Sequence, residues 1–387
     1  MSHDNMHPSR EDQVTSNLQR RPWYIQIDDD IKKNEQDAEK NERDHTRQVQ
    51  AERRSRYTKA VEQLANENAA VRLGGVYTLV GLVDEWLADE SISDRYQEGQ
   101  VIINNLCSYI RSPFPLAEEI EEYEAHKELE KLQKTESENL SEGKSSRLQV
   151  LLKRFEDSGE YEKPKDITAN YAKFHEEQDV RRIIFVEMSK RSSTFTKNDK
   201  GEIIETVPGI WSDFDFDFSR APIFYPLSSL TIEKGNFSSA KFYSNADFSR
   251  AAFTQDADFS RAAFTQDADF SRAAFTQTVD FSWAAFTQTA NFSEATFTQY
   301  AYFYWVTFTQ DADFSRAAFT QDADFSRAAF TQDADFSGAA FTQDADFYGA
   351  AFTQDADFYG ATFAQTANFS EATFSSSSPS LWKFLKS

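Results

Sequence analysis

The sequence predicts a two-part α+β chain in which an N-terminal α-helical region precedes a β-solenoid over residues 237–375. Two observations carry this prediction. The second part consists of eleven-residue units, and DADFSRAAFTQ occurs verbatim four times, starting at Asp256, Asp267, Asp311 and Asp322. The first part shows apolar residues at helical spacing between charged stretches. Repeats of fixed length are typical of a solenoid, in which each unit packs only against its neighbours.

The spacing of phenylalanine indicates which positions of the unit face inward. The Phe positions run 237, 242, 248, 253, 259, 264 and onward to 374, so that gaps of five and six alternate. Nearly every Phe follows an Ala by two residues, and alternate residues of a strand share a face. A helix would need spacings of three and four. We therefore expect a core of Ala and Phe that includes Phe248, Phe253, Phe259, Phe264, Phe314 and Phe325.

The unit resembles the motif of the pentapeptide-repeat family, A(D/N)Lxx with a central Leu or Phe. ADFSR, AAFTQ, ANFSE and ATFTQ are such pentads. The resemblance implies a right-handed quadrilateral β-helix with four pentads per coil. Each pair of pentads carries one extra residue, such as Asp256 or Asp267, which we expect to bulge at a corner. The coil would then contain 22 residues instead of 20.

Residues 56–114 are predicted to form a small helical domain. Apolar residues recur at helical spacing from Val61 to Val83 and again from Val101 to Ile110. Asp94 is the expected N-cap of the second helix, and Gly74-Gly75 implies the close approach of a neighbouring helix.

The remaining segments are predicted from composition. Residues 1–55 are expected to be disordered up to about residue 30, apart from Trp23–Ile27, and then to form a charged helical stalk. Residues 115–200 are expected to be charged helices with a loop at 137–146, and a last helix at Gln178–Lys190 is positioned to cover the first coil. Residues 201–236 would lead into the solenoid, and residues 376–387 would cap it.

The N-terminal region has a resemblance of its own. RYTKAVEQLANENAAVRLGGVYTLVGLVDEW, INNLCSYIR and QDVRRIIFVEMSKR are similar to the helical region of actinobacterial pentapeptide-repeat proteins. Many of those proteins carry transmembrane helices there, but no segment here approaches the roughly 18 apolar residues of a membrane span. We therefore expect no membrane anchor, no secretory signal and a cytoplasmic location, with peripheral membrane association left open.

Composition and motifs argue against catalysis and cofactors. The chain has 64 acidic and 41 basic residues, a net charge of −23, so direct binding of nucleic acid is not expected because phosphate contacts need a basic face. The lone Cys107 excludes an internal disulfide and a cysteine-cluster zinc site. The five histidines are scattered, and HExxH, GxSxG, P-loop and GxGxxG motifs are absent. We expect no enzyme, no catalytic residue, no cofactor and no metal.

A 22-residue coil makes residues 22 apart vertical neighbours, which defines columns on the outer surface. One column contains Arg250, Arg272, Glu294 and Arg316, and it predicts a salt-bridge ladder in which Glu294 lies between two arginines. Another column, with Arg261, Trp283, Trp305 and Arg327, predicts cation–π contacts. Tyr300, Tyr302 and Tyr304 stand beside them where the repeat has Asp, Asp and Ser. Local drift of the repeat is one explanation. The other is a partner-binding patch, which we call the aromatic patch: Trp283, Trp305, Tyr300, Tyr302 and Tyr304.

The predicted function is a non-enzymatic scaffold or protein-interaction rod with an unknown protein partner. The alternative is an acidic DNA mimic that inhibits or protects a topoisomerase-type enzyme, as the resemblance to quinolone-protecting pentapeptide proteins implies. Residues 237–375 contain 18 acidic and 6 basic residues, about one net charge per 2.6 Å of rod against about 1.7 Å for duplex DNA. A homodimer through the C-terminal segment is a further option.

Overall fold

The computed structural model describes residues 23–135, 142–156, 167–197, 203–228 and 234–375. The chain divides into two compact units, Met1–Lys59 and Ala60–Ser387. The first helix, α1 (Trp23–Leu64), begins in the first unit and ends in the second.

The first unit is described as the charged part of α1. Its side chains are mostly exposed, and ion pairs of i,i+4 spacing join Lys32 to Asp28 at 2.6 Å and Arg43 to Glu39 at 3.0 Å. The disorder expected up to residue 30 is wrong for residues 28–30, which lie within α1, and the exposed Lys32–Asp28 pair adds a small stabilisation to this part of the helix. Residues 1–22 lie outside the described residues.

The small helical domain is built on α2 (Ala69–Leu87) and α3 (Arg95–Arg111). The side chain of Asn68 caps α2 by accepting the amide of Ala70 at 2.9 Å. Close helix packing is confirmed for Gly75, where an added Cβ would lie 2.8 Å from the carbonyl oxygen of Ala60, but Gly74 has nothing within 4 Å. Asp94 precedes α3 as expected, yet its side chain makes no capping bond.

The charged region that follows forms a helical hairpin of α4 (Pro115–Thr135) and α5 (Glu142–Phe155). The loop expected at 137–146 is wrong for residues 142–146, which belong to α5, whereas residues 136–141 lie outside the described residues. The reason is that α5 supplies an apolar stripe that packs on α4, with a core of Ala125, Leu132, Leu148 and Leu151.

The last helix, α6 (Ile167–Ser192), leads into a two-stranded antiparallel sheet of β1 (Ser193–Lys197) and β2 (Ile203–Pro208). It covers the first coil, as expected for residues 178–190, because the Phe185 ring lies 4.4 Å from that of Phe218 and 5.6 Å from that of Tyr225.

A fully buried arginine joins the helices to this coil. Arg181 is 1 % exposed. It donates to the Glu177 carboxylate at 2.7 Å and to the carbonyl oxygens of Ile110 and Ser112 at 2.8 and 3.0 Å. Its guanidinium also lies 5.3 Å from the ring centre of Phe224 in the first coil. The charge is therefore paired. Its N–H groups join α6 to the end of α3, and the face of its guanidinium packs on the first coil.

The solenoid has four faces of parallel two-residue strands, which the chain visits in turn. Face 1 contains Phe216–Asp217, Gly235–Asn236, Ala257–Asp258, Val279–Asp280, Ala301–Tyr302, Ala323–Asp324, Ala345–Asp346 and Ala367–Asn368. Face 2 contains Pro222–Ile223, Lys241–Phe242, Ala263–Phe264, Ala285–Phe286, Thr307–Phe308, Ala329–Phe330, Ala351–Phe352 and Thr373–Phe374. Face 3 contains Leu227–Ser228, Ala246–Asp247, Ala268–Asp269, Ala290–Asn291, Ala312–Asp313, Ala334–Asp335 and Ala356–Asp357. Face 4 contains Ala252–Phe253, Ala274–Phe275, Thr296–Phe297, Ala318–Phe319, Ala340–Phe341 and Thr362–Phe363.

The register confirms the 22-residue coil. Ala257 pairs with Val279 and Ala263 with Ala285, each 22 residues apart. The coils begin to stack before the repeat motif begins, since Phe216 already pairs with Gly235. This first coil is shorter than the 22 residues of the later ones.

The core consists of stacked phenylalanine columns. The six core residues named from the sequence are each at most 1 % exposed. Within a column the rings lie parallel, as for Phe264 and Phe286 with centroids 4.6 Å apart and planes 2° apart. Between columns they meet edge to face, as for Phe264 and Phe270 at 82°. Both geometries are favourable for aromatic pairs. The last rings, such as Phe374, are only half-buried, and residues 376–387 lie outside the described residues.

Two kinds of corner close each coil. After faces 1 and 3 the chain makes a four-residue turn, in which the amide of Ala251 donates to the carbonyl of Phe248 at 3.0 Å and Arg250 has a φ of 59°. A positive φ at the third position is characteristic of a type II turn. After faces 2 and 4 the corner holds Thr, Gln and Asp, as in residues 254–256. The extra residue therefore lies at this corner, as predicted.

Candidate partner-binding surface

The tryptophans of the aromatic patch stand on the type II corners that follow face 1. Trp283 and Trp305 have φ values of 62° and 54°, and Gly349 occupies the same repeat position with a φ of 64°. The amide of Trp283 donates to the carbonyl of Tyr304 at 2.8 Å, and that of Trp305 to Ser326 at 3.0 Å. Hydrogen bonds to the next coil therefore fix the backbone beneath both indoles.

The two indoles form a parallel stack. Their ring centroids are 5.1 Å apart and their planes are inclined by 11°. The guanidinium of Arg327, one coil further on, lies 5.2 Å from the Trp305 ring, which confirms the predicted cation–π contact at that end. Trp283 is 51 % and Trp305 is 37 % exposed, so the stack presents a large apolar edge to solvent.

The three tyrosines extend the surface across face 1. Tyr300 and Tyr302 have parallel rings 6.2 Å apart and are exposed. Tyr304 is half-buried and meets both indoles edge to face, at 6.1 Å from Trp283 and 6.2 Å from Trp305. The fold thus brings all five patch residues into two adjacent coils and arranges them in defined pairs.

The salt-bridge ladder predicted around Glu294 is confirmed, and it lies on the type II corners that follow face 3. Glu294 lies 2.9 Å from Arg272 and 3.9 Å from Arg316. The hydrogen bond and the charge of Arg272 hold the pKa of Glu294 below its ordinary value. Because these side chains are exposed, the ladder contributes little stability.

The aspartates around the patch have structural roles that the sequence analysis missed. Asp258, on a strand of face 1, accepts the amide of Ser260 at 2.8 Å and so supports the type II corner. Asp256, at the preceding corner, accepts the amide of Thr278 in the next coil at 3.2 Å. Asp-x-Ser is the local signal for the first contact, because an aspartate readily accepts an amide two residues on. The columns of aspartates therefore stabilise the coil through these hydrogen bonds, and they also give the surface its negative charge.

The stacking of carboxylates also has an electrostatic consequence. Partial burial, together with the charge of Asp333 one coil away, raises the pKa of Asp311 above its ordinary value. Among the residues that the structure describes, no group of three or more His, Cys, Asp or Glu could hold a metal ion.

An open groove and a buried thiol in the helical half are further candidates for a site. The groove, of about 570 Å³, lies between α4 and the solenoid, and its lining includes Glu121, Glu124 and Tyr243. The Tyr243 hydroxyl donates to Glu118 at 2.8 Å. Burial raises the pKa of the Cys107 thiol to about 12, so this group is not a ready nucleophile. Over the described ranges, no helix is long and apolar enough to cross a membrane.

Comparison with known proteins supports the interpretation of the array. The family model described as pentapeptide repeats (9 copies) matches residues 259–305 and 306–351. A search of curated proteins gives no match, and neither does a search of solved structures. Residues 259–351 are therefore pentapeptide repeats, as their motif predicted, here wound into 22-residue coils.

Proposed function

We propose that the chain is a non-enzymatic interaction rod whose aromatic patch docks a protein partner. The observation that carries this proposal is the replacement of polar repeat residues by five aromatic side chains within two adjacent coils, on the outside of the solenoid. Tryptophan and tyrosine are enriched where protein interfaces contribute most binding energy, because each buries a large area at a small cost in conformational entropy.

The rigidity of the patch supports the same role. The indoles are already stacked, and the backbone beneath them is held by hydrogen bonds to the following coil. A partner would therefore bind without first ordering these side chains, which lowers the entropic cost of association. Repeat drift explains the residue changes one at a time, but it gives no reason for five of them to lie together.

The proposal is tested by restoring the repeat sequence at the patch. The variant carries Trp283→Arg, Trp305→Arg, Tyr300→Asp, Tyr302→Asp and Tyr304→Ser, and each new residue already occurs at the equivalent position of a neighbouring coil. The fold should persist, as judged by circular dichroism and thermal unfolding. The matched control carries Tyr348→Ser and Tyr359→Ser, which removes two aromatic residues further along the array.

The measurement is affinity capture by the full chain, followed by binding titrations with each captured protein. We expect the restored variant to lose a partner that the wild type and the control both bind, with an affinity reduced at least about 100-fold. Equal binding of all partners by the three proteins would contradict the proposal.

Charge favours a second candidate function, the acidic mimic of DNA. Residues 328–375 contain seven acidic residues and no Lys or Arg, and their aspartates stand in register from coil to coil, as Asp335 does with Asp357. Asparagine occupies the strand position at Asn291 and Asn368, and threonine occupies the corner position at Thr289. Asp→Asn changes at residues 335 and 357, together with Asp→Thr changes at residues 333 and 355, would therefore remove charge and keep the fold. Inhibition of gyrase supercoiling by the wild type, lost in this variant, would support mimicry. An unaffected gyrase at excess protein would exclude it.

A further inference from the structure

The aromatic patch lies on a surface that carries uncompensated negative charge. Over the four coils that contain or flank the patch, residues 256–327, face 1 and its two corners carry five aspartates and two arginines. Within residues 246–375 the ion pairs are those of Glu294 with Arg272 and Arg316, so the five carboxylates pair with no described residue. A partner that covers this surface must therefore bring positive charge. The aspartates are Asp256, Asp258, Asp280, Asp322 and Asp324, and the arginines are Arg261 and Arg327.

Two of these aspartates flank Tyr302 along the axis of the solenoid. In the parallel ladder of face 1, Asp280 pairs with Tyr302, and Tyr302 pairs with Asp324. Adjacent strands are about 4.8 Å apart, so the backbones of the two aspartates are about 9.6 Å apart with the tyrosine midway between them. Tyr302 is 37 % exposed. An exposed ring between two carboxylates combines two groups that both attract a cation.

Each of these carboxylates is held in place and keeps one oxygen for a partner. The Oδ1 atom of Asp280 accepts the amide of Ser282 at 2.7 Å, and the Oδ1 atom of Asp324 accepts the amide of Ser326 at 2.8 Å. These bonds fix the direction of both side chains. Among the described residues, no group donates to either Oδ2 atom. A donor from outside the chain therefore has a fixed acceptor on each side of Tyr302.

Arginine is the cation that uses both features of this surface. Its planar guanidinium stacks on aromatic rings and donates in parallel to a carboxylate, whereas the ammonium of lysine is a compact point charge. The chain itself provides an example of the stacking, because the guanidinium of Arg327 lies 5.2 Å from the centre of the Trp305 ring. An arginine of a partner would make the same kind of contact with Tyr302 and add the bond to a carboxylate.

The two arginines of the surface restrict where a basic segment lies. Arg261 and Arg327 stand in the column of Trp283 and Trp305, after the type II turn. Like charges repel each other, so a basic segment avoids this column. It therefore runs along the solenoid axis over the column of Tyr302, and the indoles meet uncharged residues of the partner.

The distance between the two carboxylates favours one backbone conformation for this segment. Polyproline II has three residues per turn and a rise of about 3.1 Å, so residues three apart share a side and are separated by about 9.3 Å. This agrees with the separation of about 9.6 Å between Asp280 and Asp324. A β-strand would present side chains on one side about every 6.8 Å, which matches neither one coil nor two. Polyproline II segments also dock on surfaces lined by aromatic rings.

We propose that the aromatic patch binds a basic polyproline II segment of its protein partner. Two arginines three residues apart pair with Asp280 and Asp324, and the segment between them packs on Tyr302. This inference rests on the proposed function, since it names the chemistry of the partner segment that the patch would dock.

A synthetic peptide and the full-length protein test the inference. The probe is a fluorescently labelled peptide of four Arg-Pro-Pro triplets, and its binding is followed by fluorescence polarisation. Salt at about 0.15 M limits the reach of charge to about 8 Å, which suppresses attraction by the net charge of −23. We expect a Kd of about 100 µM or tighter. A peptide of four alternating Arg-Pro pairs has no arginines three residues apart and should bind several-fold more weakly.

Two variants separate the contribution of charge from that of the rings. The charge variant carries Asp280→Asn and Asp324→Asn, and the ring variant carries Tyr300→Thr and Tyr302→Asn, which leaves the charge unchanged. Asparagine suits the strand position because the Oδ1 atom of Asn291 accepts the amide of Ser293 at 2.9 Å, as the aspartates do. Threonine already holds the corner position at residue 278. Each variant should bind the peptide at least about 10-fold more weakly.

Face 3 provides the matched control. There Asn291 lies in register between Asp269 and Asp313, so this face has the two carboxylates without the ring. Asp269→Asn with Asp313→Asn removes the same charge in neighbouring coils and should change the affinity less than about twofold, because the site on face 1 is intact. Thermal unfolding of each variant reports whether it is folded.

Four outcomes would overturn the inference. They are a wild type that does not bind the peptide, a face-3 control that loses as much affinity as the charge variant, a folded ring variant that binds as the wild type does, and equal affinity for the two peptides. If any of these occurs while the patch-restored variant still loses a captured partner, the proposed function stands and only the basic segment is excluded. If the restored variant keeps every captured partner, the proposed function fails even where the peptide binds.

Discussion

Replacing Phe314 by alanine tests whether stability comes from stacked rings. Phe314 lies near the middle of the array and is 0 % exposed. Its ring is parallel to those of Phe292 at 4.8 Å and Phe336 at 5.0 Å, and it meets Phe303 and Phe325 edge to face at 5.3 Å. The substitution removes these four ring contacts and a fifth, with Phe308 at 5.8 Å. It leaves a cavity between coils whose spacing is fixed by their own hydrogen bonds.

The expected magnitude follows from burial and from the position in the array. A buried Phe→Ala change costs about 3–5 kcal/mol, and we expect Phe314→Ala to lie in this range. Phe374 is half-buried and, among the residues that the structure describes, its ring is stacked on that of Phe352 alone, at 4.8 Å. Phe374→Ala should therefore cost about 1–2 kcal/mol. Phe314→Leu keeps most of the volume and should cost about 1 kcal/mol.

Hydrogen exchange of the folded protein, together with urea unfolding followed by tryptophan fluorescence, measures these differences. Solenoids lose structure coil by coil, so Phe314→Ala should reduce protection in the coils on either side of residue 314 before those near Phe185. A Phe374→Ala variant destabilised as much as Phe314→Ala, or a loss below about 1 kcal/mol at Phe314, would refute the stacking argument.

Three further predictions concern single contacts. Arg181→Met should lower the free energy of unfolding by about 3 kcal/mol in urea titrations, because it removes a hydrogen-bonded cation from Glu177, and an unchanged midpoint would contradict this. The pKa of Glu294, followed by carbon-13 NMR, should lie below the ordinary value of a glutamate and rise in Arg272→Ala, because Arg272 supplies the hydrogen bond and the charge that lower it. Since the pKa is lowered by folding, the stability it contributes is present above the unfolded-state pKa and is lost as the pH falls through the folded value. Gly338 has a φ of 66°, so Gly338→Val should lower the free energy of unfolding by about 1–2 kcal/mol and Gly338→Asn by less. Equal losses in the two variants would show that the left-handed backbone conformation does not determine the loss.

The solenoid could be predicted because its determinants are local and repeated. The two-residue step from Ala246 to Phe248 gives a shared inward face, and the eleven-residue count fixes which residues stack 22 apart. The positions of Trp283 and Trp305 on one column follow from that count alone. The aromatic patch can therefore be predicted without knowing any contact between residues that are distant in the sequence.

The glycines at the type II corners are a sequence signal for positive φ that the sequence analysis did not use. Gly338, Gly349 and Gly360 occupy the repeat position held elsewhere by Arg, Trp or Glu. Glycine at a repeated position indicates a positive φ, and the structure has positive φ at all of these residues. Arg250 and its equivalents accept this conformation because the ladder of hydrogen bonds between coils holds the turn.

The junction between helices and solenoid could not be predicted in this way. Gln178 donates to the carbonyl of Phe224, which is 46 residues away in the chain, and Arg181 packs on the ring of the same Phe224. No local pattern marks these residues as contacts. The hairpin of α4 and α5 was missed for a related reason. The stripe in α4 is short. Helix α5 begins at Glu142, inside a polar segment that composition alone assigns to a loop, and its buried residues Leu148 and Leu151 come only after that segment.

The central claim is that the 22-residue coil assembles the aromatic patch, and the stacked tryptophans report on it directly. Two indoles 5.1 Å apart and nearly parallel should couple as an exciton pair in far-ultraviolet circular dichroism. The account predicts a couplet in the wild type that disappears equally in Trp283→Phe and in Trp305→Phe, with the thermal unfolding profile retained. Spectra in which the two tryptophans contribute additively, with no couplet to lose, would contradict it.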